Sequence, residues 1–408
     1  MSTYETLSVL GVLSRKWLRR DFLFRRRAVT QLVRASGFSE KMAQEMLDAL
    51  FSELTVLKLK ALLRAELQRP AALDGFVKDS RNKRLVHAKG PHTILHIFSA
   101  NVPNAAVTSF VMGLLIGSRN IGKVSRRDKG ILGLYLDSLK AHDRTLWGRC
   151  NLMQGRGKIS RYAKEVGLVV AYGDDESLDE IQKCVPAKTS FVGYGHRVSF
   201  GLVLHEKLRN GEAVRLAKKT AYDVWMADQR GCLSPVLVFA QQGGSVSPED
   251  FARLVAIELE RIEKSERSKP RRGIADSLAV NRLRNLLRMR ALKGGKVGYW
   301  MSDTPGRWAV GYDEKNEAEF SSGAQILRVK GFKKLSDIEG VLQKMSRSLQ
   351  AVFLECAPTH RKQIAEWLSL FGVNRICRAG QLQKPPITWH HDGRPNLANW
   401  LTWVDLEG

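Results

Sequence analysis

Residues 228–235 read Asp-Gln-Arg-Gly-Cys-Leu-Ser-Pro, and the apolar run Val-Leu-Val-Phe-Ala follows at 236–240. The apolar run predicts a buried strand, and a helix is predicted upstream over 211–225. Cys232 therefore stands at a predicted strand end, where a thiol is well placed to attack a bound carbonyl. Such a cysteine also needs a nucleotide site, donors for an oxyanion and a source of acyl groups.

Strands and helices alternate in the chain before this cysteine. Buried strands are predicted at 93–98, 120–125, 167–173 and 189–192, with a small-residue helix ending at Leu115 and another helix over 131–147. Further strands are predicted at 297–301, 308–312, 325–329 and 351–355. This alternation favours an α/β fold with a parallel sheet of nucleotide-binding character.

The first 88 residues are predicted to be helical. They contain a basic run at 15–27, which holds seven Lys or Arg residues and one Asp. Such a run is compatible with a membrane surface or with nucleic acid. A solvated helix face or a subunit contact is the more common role of such a run, and we favour it here.

Composition bounds the class of protein. The chain has 408 residues, 44% hydrophobic content and a formal net charge of +25. The length favours two or more domains, and no apolar run approaches the roughly 20 residues that span a bilayer. The charge indicates either a basic surface that aids solubility or an anionic partner, such as nucleic acid, a nucleotide, coenzyme A or an acidic carrier protein.

The five cysteines argue against a disulfide framework. Their number is odd, no CxxC pair occurs and no secretory signal is evident, which predicts a reducing, cytoplasmic location and no zinc knuckle. They are Cys150, Cys184, Cys232, Cys356 and Cys377. No other spacing suggests a metal site either, so none is predicted.

Two motifs carry a family resemblance. They are the segment DQRGCLSP around Cys232 and the segment WHHDGRPN at 389–396. Both resemble the long-chain acyl-CoA reductase family. This is the fatty acid reductase component of bacterial bioluminescence and its relatives, a branch of the aldehyde dehydrogenase superfamily. The resemblance covers about 90–250 and the end of the chain from about 375, in the family's order. The resemblance implies an aldehyde dehydrogenase-like α/β fold, with a Rossmann-type cofactor domain and an α/β catalytic domain.

The domain boundaries combine the helical pattern of the first 88 residues, which carry no such resemblance, with the resemblance of the rest of the chain. A helical region is expected at 1–88, a nucleotide-binding domain at 89–230 and a catalytic domain at 231–375. The last segment, 376–408, is expected to return to the active site or a subunit interface.

The resemblance also implies catalytic roles. Cys232 matches the nucleophile that takes the acyl group as a thioester. Asn101 matches the asparagine whose amide binds the oxyanion, with the backbone N–H of Cys232 as the second donor. His391, with Asp392 to orient it, is a candidate acid/base on the thiohemiacetal; the alternative is a hydrogen-bonded structural turn near the subunit interface.

The cofactor site is implied in the same way. Lys123 matches the lysine that contacts the adenine ribose, and Ser125 is a further expected cofactor contact. Arg126, followed by Arg127, would favour a 2′-phosphate and hence NADPH. Residues 193–195, Gly-Tyr-Gly, match the turn that opens a helix against the pyrophosphate, with Gly193 and Gly195 as cofactor contacts. Tyr194 stands where the superfamily usually has a small residue.

One departure from the superfamily bears on the reaction. Ordinary aldehyde dehydrogenases carry a Glu-Leu-Gly-Gly segment before the cysteine, whose glutamate activates water. Here residues 217–223 read Ala-Lys-Lys-Thr-Ala-Tyr-Asp. Without that base the acyl-enzyme suits transfer or reduction better than hydrolysis.

The predicted function is therefore NADPH-dependent reduction of an acyl thioester to the aldehyde. The implied donors are acyl-CoA or an acyl-carrier protein. An acyl-transferring enzyme is a candidate partner, and a homo-oligomer is the expected assembly. Two alternatives stay open: a nucleic-acid-binding protein, and a relative that binds or transfers acyl groups without reducing them.

Overall fold

A computed structural model describes residues 1–79, 84–98, 103–124, 130–154, 159–266, 273–315 and 325–407. Within them the helices are α1 (Thr3–Leu18), α2 (Leu23–Gln31), α3 (Glu40–Glu53), α4 (Val56–Leu67), α5 (Pro103–Leu115), α6 (Gly130–His142), α7 (Arg144–Trp147), α8 (Ile159–Ala163), α9 (Asp175–Lys183), α10 (Asn210–Trp225), α11 (Pro248–Ser265), α12 (Ile274–Leu292), α13 (Ser336–Met345) and α14 (Arg361–Ser369).

The strands in the same residues are β1 (Val77–Lys78), β2 (Leu85–Lys89), β3 (Thr93–Ile97), β4 (Arg119–Val124), β5 (Cys150–Gln154), β6 (Leu168–Tyr172), β7 (Ser190–Tyr194), β8 (Val198–Val203), β9 (Pro235–Gln241), β10 (Val297–Met301), β11 (Trp308–Asp313), β12 (Gln325–Phe332), β13 (Leu349–Glu355), β14 (Arg375–Cys377) and β15 (Thr402–Leu406). The predicted mixture of strands and helices is confirmed.

The chain forms two compact units. The first unit comprises Met1–Ser36, Ala43–His196 and Pro386–Gly408, and the second comprises Gly37–Met42 and Arg197–Pro385. The division between them in the middle of the chain falls after His196, between β7 and β8. The functional roles expected for 89–230 and 231–375 remain predictions.

The first unit is built on a five-stranded parallel sheet in the order β5-β4-β3-β6-β7. The chain lays β4 and β5 on one side of β3 and then crosses to β6 and β7 on the other. The strand order therefore reverses between β3 and β6, which is where open α/β sheets bind ligands at their carboxyl ends. Leu95, Ile97, Val169 and Ala171 pack with side chains of α8 and α9 on one face of the sheet.

A buried polar group lies within this sheet. His96 of β3 is fully buried, and its ring nitrogens lie 2.8 Å from Ser109 Oγ and 2.8 Å from Asn120 Oδ1. Burial lowers the pKa of His96 to about 4. The imidazole is therefore neutral near pH 7 and serves to join β3 to α5 and β4.

The N-terminal helices pack onto the first unit. Trp17 of α1 is buried, stacks on Phe51 at a centroid distance of 4.5 Å, and donates from Nε1 to Ser138 Oγ at 2.9 Å. Arg25, within the basic run, is fully buried and pairs with Asp48 at 2.7 Å. The basic run is thus not a uniformly solvated face, because one of its cations holds the helices together.

The C-terminal segment also belongs to the first unit. Strand β15 pairs antiparallel with β2, which pairs in turn with β1. Before it, the carboxylate of Glu66 accepts hydrogen bonds from the backbone N–H groups of Asn396, Leu397 and Ala398. The Trp- and Pro-rich end of the chain is therefore folded onto α4 by main-chain hydrogen bonds.

The second unit contains a seven-stranded sheet in the order β10-β11-β12-β9-β8-β13-β14. Its strands are parallel except β10, which runs antiparallel to β11. The predicted strand at 236–240 is β9, in the middle of this sheet, and its apolar residues account for its burial on both faces. Leu237, Phe239 and Phe200 pack against α13 and α14.

Two local predictions are wrong. The helix expected over 131–147 is broken into α6 and α7, because Asp143 has extended backbone and its side chain accepts from Leu146 N–H as a helix cap. No helix opens after residues 193–195: Gly193 and Tyr194 end β7, and β8 begins at Val198. The Gly-Tyr-Gly sequence therefore leads from one strand to the next and not into a helix.

None of the helices in the described ranges is both long and apolar enough to cross a membrane.

Candidate active site

Cys232 lies in the turn that enters β9. Helix α10 ends at Trp225, a turn follows at Met226–Gln229, and β9 begins three residues after the cysteine. The thiol-bearing residue is only partly buried. It therefore stands at the amino-terminal edge of the second unit's sheet, as the sequence predicted for a strand end.

The main chain of this turn is anchored by β8. The hydroxyl of Ser199, which is fully buried, donates to the carbonyl oxygen of Cys232 at 2.7 Å. At this point the pairing of β8 with β9 changes register, since Ser199 faces Pro235 while Phe200 faces Leu237. Such irregularities redirect a chain locally, and this one lies directly beside the cysteine turn.

A loop after β14 holds the same turn from another side. The amide of Gln383 donates to Ser234 Oγ at 2.8 Å and to the Asp223 carbonyl at 3.3 Å. Asp223 Oδ2 accepts from the backbone N–H of Gly380 at 2.6 Å. Arg375 donates to the carbonyl oxygens of Leu382 and Gln381, both at 2.7 Å. The loop is thereby fixed to α10, to β14 and to the cysteine turn.

These residues create an unusual electrostatic environment. Burial raises the pKa of Asp223 to about 7 and lowers the pKa of Arg375, an effect opposed by electrostatic interactions with Cys377, Asp223 and Cys232. The Arg375 guanidinium thus lies within electrostatic range of Cys232. A nearby cation favours the thiolate, which is the nucleophilic form of cysteine.

Three other cysteines sit in less reactive environments. Burial raises the pKa of Cys377 to about 11 and that of Cys150 to about 12. Burial also raises the pKa of Cys356. These thiols stay protonated near neutral pH, which makes them poorer nucleophiles than a thiolate.

A second group of candidate residues lies in the first unit, at the carboxyl ends of its parallel strands. Phe98 follows β3, Tyr172 ends β6 and Tyr194 ends β7. The rings of Phe98 and Tyr172 stack at 5.6 Å, and those of Tyr172 and Tyr194 stack at 4.8 Å. Tyr194 then stacks on His391 at 4.3 Å, and His391 on Trp389 at 4.9 Å. We refer to these five residues as the aromatic column.

His391 is therefore held by ring contacts. Its side chain is 23% exposed, and its Nε2 lies 3.7 Å from Oδ1 of Asp392, whose side chain is 2% exposed. Burial, with the carboxylate of Asp392 as the next cause, raises the pKa of Tyr194 to about 12. The structure brings His391 to the end of β7, beside the predicted cofactor contact Gly193.

The predicted cofactor residues fall at the same edge. Lys123 is the penultimate residue of β4 and half-buried, and its carbonyl accepts from Phe98 N–H at 3.1 Å. Gly195 follows β7 directly. Asn101, Ser125 and Arg126 lie outside the described residues.

This edge fits a nicotinamide dinucleotide. It lies at the reversal of strand order between β3 and β6, and Lys123 supplies a cation at the carboxyl end of β4. Dinucleotides bind parallel sheets at this position. A cofactor there would be held by Lys123 and by the residues that end β3, β6 and β7.

Sequence reasoning missed Arg375, Gln383 and the ring stacking that joins the aromatic column, although it had named His391. Tyr172 and Tyr194 each end a strand, which is a sequence signal for rings that meet at one sheet edge. Gln383 carried no such signal, because its contact with Ser234 joins residues 149 positions apart.

Comparison with known proteins adds independent findings. The profile of the family described as Acyl-CoA reductase (LuxC) matches residues 1–403. A "Long-chain acyl-protein thioester reductase" of Photorhabdus luminescens is 23% identical over 427 aligned residues, which cover 100% of this chain and 82% of that protein.

Solved structures agree in fold. An oxidoreductase from Marinobacter aquaeolei has a TM-score of 0.74 and 13% identity, covering 100% of this chain and 86% of that one. An NAD-dependent benzaldehyde dehydrogenase from Corynebacterium glutamicum has a TM-score of 0.70 and 11% identity, with the same coverage of 100% and 86%. The aldehyde dehydrogenase-like fold predicted from the sequence is confirmed.

Proposed function

Because this chain belongs to the acyl-CoA reductase (LuxC) family and is an aldehyde-forming acyl thioester reductase, we propose that Cys232 carries the acyl group during the reaction. The observation that carries this proposal is the placement of Cys232. It is a partly exposed thiol at a sheet edge, with its main chain anchored by Ser199 and the buried Arg375 in electrostatic range.

The first step is acyl transfer. The Cys232 thiolate attacks the carbonyl carbon of the bound thioester, the new carbon–sulfur bond forms, and the donor leaves as its thiol after taking a proton. Arg375 favours the attacking thiolate. Asn101 and the backbone N–H of Cys232 are proposed to stabilise the negative oxygen that forms on the carbonyl.

The second step is reduction. When bound, a nicotinamide cofactor would supply the hydride that reduces the acyl group on Cys232. The carbon–sulfur bond at Cys232 then breaks, which releases the aldehyde and restores the thiolate. His391, oriented by Asp392, is proposed to give a proton to the oxygen of the thiohemiacetal and to take it back as the carbon–sulfur bond breaks.

NADPH is the proposed cofactor. Lys123 and Ser125 would contact the adenine ribose, and Arg126 would pair with a 2′-phosphate, since guanidinium groups suit phosphate recognition. Gly193 and Gly195 stay in this proposal as close main-chain contacts, without the helix terminus that the sequence had suggested.

The substrate and its delivery are also proposed. Long-chain acyl groups on coenzyme A or on an acyl-carrier protein fit the family and the relatives' names, and the net charge of +25 suits these acidic donors or an acyl-transferring enzyme. Strand β15 exposes Trp403 and Leu406, which supports a homo-oligomer. All five cysteines are free thiols, which supports a cytoplasmic location.

The reaction is tested with purified protein, NADPH and acyl-CoAs of increasing chain length. We expect loss of NADPH absorbance, formation of aldehyde and, without NADPH, an acyl adduct in the intact mass. Cys232→Ser should abolish both the adduct and reduction, whereas Cys184→Ser, which alters an exposed cysteine, should retain both. An adduct that persists in Cys232→Ser would refute the assignment of the nucleophile.

A further inference from the structure

Three consecutive residues before the cysteine turn have an unfavourable backbone conformation. Ala227, Asp228 and Gln229 have φ angles of 56°, 55° and 55°. Side chains with a Cβ atom seldom occupy this left-handed region. Such a conformation persists only where the surrounding structure holds it in place, and it is frequent at functional sites.

The side chain of Gln229 holds this backbone. Its Nε2 donates to the carbonyl oxygen of Pro235 at 2.8 Å and to that of Ile326 at 2.7 Å. Its Oε1 accepts from the backbone N–H of Ile326 at 2.8 Å. The carboxamide therefore acts as a peptide group between the first residue of β9 and the second residue of β12, and it is 8% exposed.

Asp228 holds the preceding residue in a similar way. Its Oδ1 accepts from Gln325 Nε2 at 2.9 Å, and its Oδ2 pairs with Arg230 at 3.1 Å. Asp228 and Gln325 are 1% and 2% exposed. Both polar side chains of the strained turn thus form hydrogen bonds with the start of β12.

The anchors leave little freedom to the cysteine. Two residues, Arg230 and Gly231, separate Gln229 from Cys232, and the Ser234 N–H donates to the Gly231 carbonyl at 3.0 Å. On the far side, Pro235 is bound by the same Gln229 amide. Gln229 therefore closes the ends of the segment 229–235 onto each other and onto β12.

We infer that Gln229 is a positioning residue, which sets the place of the Cys232 sulfur by clamping the strained turn and the start of β9 to β12. This rests on the proposed role of Cys232 as the acyl carrier. Loss of the clamp lets the turn relax towards ordinary φ angles and moves the thiol. Displacement of a reacting group by about 1 Å costs on the order of 100-fold in rate.

The same strands supply a matched control at their other end. Gln241, the last residue of β9, donates from Nε2 to the Lys333 carbonyl at 3.0 Å and accepts on Oε1 from the His205 N–H at 3.2 Å. It too joins the end of β9 to the segment beside β12. Gln229→Leu therefore removes buried side-chain hydrogen bonds from one edge of the sheet, and Gln241→Leu removes exposed ones from the opposite edge.

The experiment measures single-turnover acylation of Cys232 by a long-chain acyl-CoA, followed by intact mass, together with Tm. We expect both variants to lower Tm, and Gln229→Leu by more, because it leaves buried backbone groups unpaired. Gln229→Leu should slow acylation by about tenfold to 100-fold with little change in the acyl-CoA concentration that half-saturates the rate. Gln241→Leu should acylate at the wild-type rate. Wild-type acylation in Gln229→Leu, or equal slowing in both variants, would overturn the inference.

Gln229→Glu serves if the leucine variant does not fold. It keeps the acceptor for Ile326 N–H and loses at least one of the two donated hydrogen bonds, so it should also slow acylation. A wild-type rate there would refute the positioning role. Cys232→Ser is measured in parallel. An adduct in Cys232→Ser would show that the nucleophile assignment has failed, independently of any result for Gln229.

Discussion

The Oδ2 atom of Asp223 accepts a 2.6 Å hydrogen bond from the backbone N–H of Gly380, which ties helix α10 to the loop that holds the cysteine turn. The carboxyl is fully buried, and burial raises its pKa from 3.8 to about 7. A carboxyl with a higher pKa in the folded chain favours folding at low pH. Its contribution is complete below pH 3.8 and is lost as the pH rises to about 7.

Asp223→Asn should remove this pH dependence. The amide oxygen still accepts from Gly380, whereas no charge develops on the buried group. The free energy of unfolding of the wild type should therefore fall, relative to the variant, by about 4 kcal/mol in total between pH 4 and pH 8, at about 1.4 kcal/mol per pH unit. Urea unfolding at several pH values measures it.

Asp137→Asn is the control for Asp223→Asn, because Asp137 is exposed on α6. The free energy of unfolding of Asp137→Asn should follow that of the wild type at every pH. Parallel stability curves for the wild type and Asp223→Asn would contradict the raised pKa.

Ser199→Ala should impair the reaction and lower stability. The variant removes the donor to the Cys232 carbonyl, and the net contribution of such a bond is about 1 kcal/mol. Loss of this anchor should lower kcat several-fold with little change in the KM for acyl-CoA. Ser138→Ala, which removes the buried acceptor of Trp17 Nε1 in the first unit, should lower Tm comparably and leave kcat unchanged. A normal kcat in Ser199→Ala would exclude an anchoring role.

The sequence predicts the fold class because local hydrophobic patterns indicate most of its strands and helices. The apolar run at 236–240 and the strands at 297–301 and 308–312 form where predicted, since short apolar segments bounded by turn residues have few alternatives. The helix expected after Gly195 does not form. A Gly-Tyr-Gly sequence suits a strand end as well as a helix start, and tertiary pairing of β7 with β6 decides between them.

The parts of the site that could not be predicted are long-range contacts. Gln229 meets Ile326 across 97 positions, and Gln383 meets Ser234 across 149. A glutamine gives no sequence signal for such a contact, because glutamines are common on protein surfaces. Only the folded sheet brings these amides to the cysteine turn.

Arg126→Ala should change cofactor preference. If Arg126 pairs with the 2′-phosphate, its loss should raise the KM for NADPH by about tenfold or more, as expected for a hydrogen bond to a charged group, and leave the KM for NADH unaltered. Arg161→Ala, at an exposed position of α8, should change neither value. Steady-state kinetics with both cofactors give the comparison, and an unchanged NADPH KM in Arg126→Ala would remove Arg126 from the site.

His391→Phe separates acid/base chemistry from ring packing. Phenylalanine preserves the stacking of His391 with Tyr194 and Trp389, at centroid distances of 4.3 and 4.9 Å, so Tm should stay within a few degrees of the wild type. It cannot transfer a proton, so kcat for aldehyde formation should fall by about 10²–10⁴-fold. Acylation of Cys232, which precedes the proton transfer assigned to His391, should continue.

The neighbouring His390 supplies the control for His391→Phe, because its side chain is exposed. His390→Phe should retain wild-type kcat. Full turnover in His391→Phe would reduce His391 to a packing residue of the aromatic column, and the proton would then have to come from another group. Equal losses in both variants would show that the segment 389–396 tolerates no change of shape, since the exposed histidine has no part in the proposed chemistry.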